Sequence, residues 1–396
     1  MITELIKDFN SEDRLQIVHL LASSFPMEYL AGVAHFNFFI DQCPDKRYII
    51  VRNEEKVIVG IYCLLHRKLY YDGVTLNLIG LSYGAILPAY RNFSVSEKLK
   101  KRLFEYLKDK SDVSLAFARK KLDNYWYPYG FLGFTNFGNI SIEMKDVVSP
   151  SSSIQVSVLE KDDLRYAKLM FEETYVREQN LIYRSNASWA YILKKISTNR
   201  QEVYAIKTSE GVFVGYFFRK NNTVEEICID NQFMGQITRL LCKIIQEENP
   251  GATEINFQIG IAHSFAKYIK NTYHHSIQTR FAWKGGHIIR VSNIQEFFSK
   301  ISSSIEKKLN LAKVGTFFIE YAGISFLYNG YKLKIEIANI DGCNVNIQRL
   351  FWQKLIFGVQ DASDYLTNSS EREKILPFLK IMFPVRNPQI PLMDQF

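Results

Sequence analysis

Arg91-Asn92-Phe93-Ser94-Val95-Ser96 stands where an apolar strand gives way to a basic amphipathic stretch. A turn placed there aims backbone N–H groups, and the positive end of the helix that follows, at whatever lies in front of it. Phosphate is the ligand such a turn suits. Val95, Leu99, Leu103 and Leu107 repeat at i, i+4, which predicts a helix with one buried face. Lys98, Lys100, Lys101, Arg102, Lys108 and Lys110 cluster on and around it. They read either as a solvated face or as the surroundings of a phosphate-rich small molecule. Nucleic-acid binding would need a reading element or an aromatic–basic platform, and the sequence has no such motif.

The chain has 396 residues, a formal net charge of +8 and a hydrophobic fraction of 47%. That length suits two or three domains with well-packed cores. No run approaches the ~20 apolar residues that span a bilayer. The first ten residues hold Glu4, Lys7 and Asp8 and no apolar leader core, so a soluble, cytoplasmic protein without a membrane partner is expected. The five cysteines are scattered and form no C-x-x-C pair. Buried free thiols are therefore expected, rather than a disulfide framework or a metal site. His274 and His275 are adjacent, and on a strand they would face opposite ways.

Three sections follow in order: 1–148, 149–286 and 287–396. In the first, a helix through Ser24 precedes the strands 48–52 and 56–65. A second pair over 70–87 turns at Asp72-Gly73. Then come the basic helix, a strand over 113–119, a short helical stretch and a strand over 138–144. The run Val147-Val148-Ser149-Pro150-Ser151-Ser152-Ser153 has the composition of a linker. The second section repeats the order weakly, with a helix over 162–178, strands over 202–207, 212–219 and 224–229, a helix over 234–247 and a strand over 254–258. It shows no phosphate-binding turn between Ile229 and Gln236. The third opens with the strand 287–291 and the helix 293–309. Three short strands between Thr316 and Ile337 and a helix over 346–357 follow.

The order from Ile79 through Arg91, into the helix and on to Tyr129-Gly130-Phe131-Leu132-Gly133-Phe134, resembles the acyl-CoA-binding core of the GCN5-related N-acetyltransferases. The resemblance implies α/β (α+β) architecture: tandem mixed-sheet domains followed by a sterol-carrier-like α/β domain. It implies acetyl-CoA as co-substrate and no metal. The family's phosphate turn is Arg/Gln-x-x-Gly-x-Gly/Ala; Arg91 matches, and Ser94 and Ser96 replace the small residues. Serine keeps the N–H donor but resists positive φ. Gly84, Ala85 and Ile86 fall on the strand stretch whose backbone pairs with the pantetheine arm in that family. Tyr129 falls on the family's general acid, and a phenol with pKa about 10 is a reasonable proton donor to a leaving thiolate.

Length, order and the ending Phe-Pro…Asp-x-Phe further resemble the Eis branch of aminoglycoside acetyltransferases. In that branch the terminal carboxylate, here that of Phe396, acts as general base, and the assembly is a hexamer. Ile390, Leu392, Met393 and Phe396 give the tail an apolar character unlike a frayed terminus. The expected acceptor is a primary amine: an aminoglycoside, an amino sugar or lysine. An overall basic chain does not steer a polycation. Two other readings are a scaffold that has lost cofactor binding, motivated by Ser94 and Ser96, and a lipid-binding protein acting through the third section.

Overall fold

The computed structural model describes residues 1–91, 93–118, 123–133, 136–147, 153–176, 182–198, 202–260, 262–281, 286–321, 323–337, 345–358, 361–364, 369–385 and 394. Strand β1 (Ile2–Ile6) precedes helices α1 (Ser11–Ser24) and α2 (Tyr29–Gln42). Then come β2 (Lys46–Arg52), β3 (Ile58–Tyr71), β4 (Val74–Ile86), α3 (Phe93–Lys110), β5 (Val113–Ala118), α4 (Asp123–Trp126), β6 (Leu132–Gly133) and β7 (Asn136–Glu143). The middle of the chain forms β8 (Ile154–Val158), α5 (Leu164–Phe171), β9 (Ile182–Tyr183), α6 (Asn186–Thr198), β10 (Glu202–Thr208), β11 (Phe213–Lys220), β12 (Thr223–Ile229), α7 (Met234–Glu248), β13 (Glu254–Phe257), α8 (Ser264–Thr272) and β14 (His275–Phe281). The remainder forms β15 (Gly286–Val291), α9 (Ile294–Leu311), β16 (Phe317–Tyr321), β17 (Ile324–Tyr328), β18 (Leu333–Ile337), α10 (Val345–Ile356) and α11 (Ser369–Met382).

Local chemistry accounts for the long hairpin at the centre. Asp72 (φ 49°) and Gly73 (φ 84°) both take positive φ, the two-residue turn whose twist matches antiparallel strands. Tyr71 pairs Val74 across it, and β3 and β4 stay in register as far as Cys63 and Ser82. Alternate residues of β2 and β3 then serve two cores, as a period of two requires. Ile49, Val51, Val59, Tyr62 and Leu64 pack with Val95, Leu99, Leu103 and Leu107 of α3. Tyr48, Ile50, Ile61, Cys63 and Leu65 face α1 and α2 on the other side.

The first sheet has the order β1-β2-β3-β4-β5-β15-β6, with β9 also pairing β3; the second is β14-β7-β13-β12-β11-β10-β8. Each contains one parallel pair bridged by a helix, β4-α3-β5 in one and β12-α7-β13 in the other. This is the physical content of the weak internal repeat. The third sheet, β16-β17-β18, is antiparallel, and its apolar face shares a core with α9, α10 and α11.

Two strands pair outside the sections that sequence order assigns them. β7, placed with 1–148, is bonded between β13 and β14 of the second sheet. β15, placed at the start of 287–396, lies between β5 and β6 of the first. Alternation identifies a strand but carries no information about its distant partner. Buried contacts secure the exchange. The hydroxyls of Ser111, Ser114 and Ser292 lie 2.6–3.2 Å apart. Gln353 of α10, fully buried, accepts from the Val291 N–H (2.5 Å) and donates to the Gly130 carbonyl (2.8 Å). The third section thereby holds the turn that follows α4.

His263 adds a pH dependence. It caps α8 by accepting the Phe265 N–H on Nδ1 at 3.1 Å, which requires that nitrogen to be deprotonated. Burial holds its pKa down at about 4 against an ordinary 6.5. The depressed value means the stabilisation is complete above pH 6.5 and is lost as pH falls towards 4. Between pH 7 and pH 5 the loss is about 2 kcal/mol. Urea unfolding of the protein and of His263→Asn, which keeps a capping side chain, checks this. The variant should lose less stability over that interval.

Candidate functional site

A fault in the central sheet creates the site. The register moves from Cys63–Ser82 to Ile61–Ala85, so β4 carries one residue more than β3 across that interval. This is a β-bulge, and Tyr83 sits in it at φ 37°, a left-handed conformation a bulky residue takes only when its surroundings hold it. On the other edge, β4 pairs β5 in parallel only from Leu78–Val113 to Leu81–Ala116, while β4 runs on to Ile86 and β5 to Ala118. The two strands splay apart, and a cleft of about 710 Å³ fills the opening.

Gly84, Ala85, Ile86, Arg91 and Ser96, five of the expected cofactor-binding residues, line that cleft. Gly84 is required by space: a Cβ there would lie 2.5 Å from Cε1 of Tyr62. Arg91 donates from Nε to the Ile86 carbonyl at 3.1 Å and tethers the turn to the end of β4. Ser94, Val95 and Ser96 occupy the first turn of α3, where backbone N–H groups have no partner within the helix. Ser94 is exposed and Val95 is buried in the core. Asn92 lies outside the described residues, as does the side chain of Phe93.

Three hydroxyls meet on the cleft wall. The Tyr125 hydroxyl is 3.3 Å from that of Tyr62 and 3.3 Å from Ser96 Oγ. Burial, then the neighbouring Tyr125, raises the Tyr62 phenol well above its ordinary pKa, so it stays protonated. Trp126 and Phe117 complete this wall.

Tyr129 lies beside this wall, its ring centroid 6.1 Å from that of Tyr125. Its ring stacks on Phe104 (centroids 4.8 Å, 17°) and its hydroxyl accepts from Lys100 Nζ at 2.7 Å. Lys100 also pairs with Glu97. Desolvation opposes its charge, but the bonds to Glu97 and Tyr129 raise its pKa overall. Tyr129 is not among the described residues lining the cleft. Gly130 ends the helical stretch at φ 80°, and Gly133 lies in β6. Tyr125, one turn before Tyr129 and in α4, lines the cleft.

Ser24 and Phe25, at the end of α1, form the far rim. Tyr83 is caged by Phe25, Phe36 and Phe39, and its hydroxyl lies 2.8 Å from His35 Nε2. Burial, then nearby Lys195, lowers the His35 pKa. Behind Tyr83 a smaller cavity of about 40 Å³ shares Ser82 and Tyr83 with the cleft and is also lined by Lys195 and Asp394. Phe396, the expected base, lies outside the described residues, but Asp394 is in place. Its carboxylate accepts from Arg184 Nε and Nη2 at 2.8–3.0 Å. No group of metal-ligating side chains occurs among the described residues, and no described helix is long and apolar enough to cross a membrane.

No protein-family profile matches this chain, and no curated protein sequence does. Among solved structures it is similar to a conserved protein of Enterococcus faecalis V583 described as a probable N-acyltransferase (13% identity, TM-score 0.72, 100% of both chains). A GCN5-related N-acetyltransferase from Anabaena variabilis is similar at 12% identity, TM-score 0.71 and 100% of both chains. Eis1 from Mycobacterium abscessus follows at 10% identity, TM-score 0.61 and 100% of both chains. These likenesses establish the fold: mixed α/β, with tandem acetyltransferase-like sheets.

Proposed function

We propose that the protein is an acyl-CoA-dependent N-acyltransferase that moves an acetyl group to a primary amine. The observation that carries this is the combination of the β4 bulge with the β4–β5 splay, which opens a cleft in front of the α3 N-terminus. A bound thioester supplies an electrophilic carbonyl and a thiolate leaving group. The chain's own residues do the rest. The first turn of α3 and Arg91 suit the diphosphate. Gly84 keeps the wall low beside β4, whose cleft-side edge is free of β5 beyond Leu81. The ammonium first gives up one proton to become the nucleophilic amine. As its nitrogen bonds the acyl carbon the carbon–sulfur bond breaks, the nitrogen gives up a second proton and the thiolate gains one, leaving amide, free thiol and one released proton.

Tyr125 is the donor this geometry supports, its hydroxyl being held by Ser96 and Tyr62 at the cleft. Tyr129, the donor implied by resemblance, is engaged with Lys100. The acceptor of the amine proton is, in this proposal, the Phe396 α-carboxylate. Among the described residues lining the cleft, the one charged side chain is Arg91. That favours an acceptor with a single amine, such as an amino sugar or lysine, over a polycationic aminoglycoside. The same resemblance supports a hexameric assembly and a sterol-carrier-like third section as parts of the proposal.

Calorimetric titration of untagged protein with acetyl-CoA tests the reading. Micromolar binding, followed by amine-dependent release of free thiol, is the expected result. No binding at millimolar acetyl-CoA would overturn it and leave a scaffold with this fold.

A further inference from the structure

Arg184 lies directly after β9, which binds it to the first sheet through the Leu69–Ile182 pairing. Its side chain is 1% exposed. One edge of the guanidinium, Nη1 and Nη2, donates to both oxygens of Glu226 on β12 at 2.8 and 2.6 Å. The other edge, Nε and Nη2, donates to both oxygens of Asp394. Phe171 and Trp189 lie against it, 4.0 and 4.9 Å from the ring centroids to the guanidinium carbon. Glu226 is 0% exposed and also accepts from the Tyr216 hydroxyl. Glu226 alone would neutralise Arg184. The second fork is therefore a preformed seat for one more carboxylate, with Lys195 lining the same cavity to offset the added charge. Asp394, the occupant, lies 168 residues beyond Glu226 in sequence; in space it lines the small cavity that shares Ser82 and Tyr83 with the cleft.

We infer that Arg184, held by Glu226, is a positioning residue that grips Asp394 beside the bulge of β4. Two peptide units separate Asp394 from Phe396, so seating one limits where the other's carboxylate can go. The middle section thereby acts on the first section's cleft without entering it. Its effect on the reaction rests on the reading of Phe396 as proton acceptor; the grip itself does not.

Asp394→Asn tests it, because the Arg184–Glu226 pair stays intact; an unchanged circular dichroism spectrum at 25 °C verifies that the fold is kept. Arg184→Lys is the second variant, since an ammonium cannot form two planar forks. Carboxypeptidase Y is used to release Phe396 from the native protein, which requires an extended, undocked chain end. Release from Asp394→Asn is expected to be about a hundredfold faster than from the parent. The kcat for amine acylation is expected to fall by about 10²-fold with acetyl-CoA affinity unchanged. Equal release rates from parent and variants would overturn the grip. Faster release with unaltered kcat would overturn its role in positioning. If the parent protein turns over no amine, the proposed function fails, and the release rates still decide whether Arg184 seats the tail.

Discussion

Tyr125→Phe lowers kcat for acyl transfer by about 10²- to 10³-fold and leaves acetyl-CoA affinity nearly unchanged. The phenol is the proton source the geometry offers to the departing thiolate. Loss of one hydroxyl removes that source without altering the shape of the cleft. Tyr129→Phe is the informative partner. Its hydroxyl serves Lys100, so the change costs about 1–3 kcal/mol of stability through a lost charge-assisted bond, with a smaller effect on rate. Steady-state kinetics and melting curves on both variants separate the two roles. A strong rate loss in Tyr129→Phe with Tyr125→Phe near normal would return the assignment to Tyr129.

Gly84→Ala weakens acetyl-CoA binding by about 10- to 100-fold, equivalent to the ~1–3 kcal/mol of an overpacked site. The added methyl would lie 2.5 and 2.8 Å from two ring carbons of Tyr62. That ring is not a free end: it is buried, and its hydroxyl meets Tyr125. Relief must come from moving Tyr62 or the β4 backbone, and either disturbs the cleft wall. Calorimetric titration reads the effect directly. Parent-like affinity in Gly84→Ala would show that the β4 edge takes no part in binding.

Much of the scaffold was legible because its signals are local. The Asp72-Gly73 turn, the α3 stripe and the alternating strands between residues 202 and 229 all lie where pattern and turn chemistry place them. Helix α1 begins where Asn10 accepts the Asp13 N–H, a local cap of the kind sequence can show. Helices α2 and α6 were not legible. In α2, Tyr-Leu-Ala-Gly-Val-Ala-His-Phe-Asn-Phe-Phe-Ile-Asp-Gln is apolar nearly all round, so it carries little helical contrast. Its start depends on Glu28, whose carboxylate takes the N–H groups of Leu30 and Ala31. The exchange of β7 and β15 was invisible because hydrogen-bond partners far apart leave no mark on periodicity. Five of the cofactor-side residues could be placed on the cleft from motif position. Tyr125 could not, because it fits the Tyr-x-x-x-Gly-Phe spacing to neither Gly130 nor Gly133, and only the fold sets its hydroxyl beside Ser96 and Tyr62. Arg184 and Glu226 gave no signal at all, since buried charges 42 positions apart look like any others until the fold joins them.

The exchanged strand also bears on how the molecule is made. Beyond Ser111, the hydroxyl partner of Ser114 on β5 is Ser292, which is made 178 residues later, and β15 with it. At ribosomal elongation rates of about 5–20 residues per second, that is a delay of roughly 10 to 35 s. For that time β5 is an open sheet edge, and the nascent chain must pass through it with an apolar strand unpaired. A chaperone that shields such edges would have its longest task on this protein at β5, and a premature stop anywhere before residue 286 would leave the edge open for good.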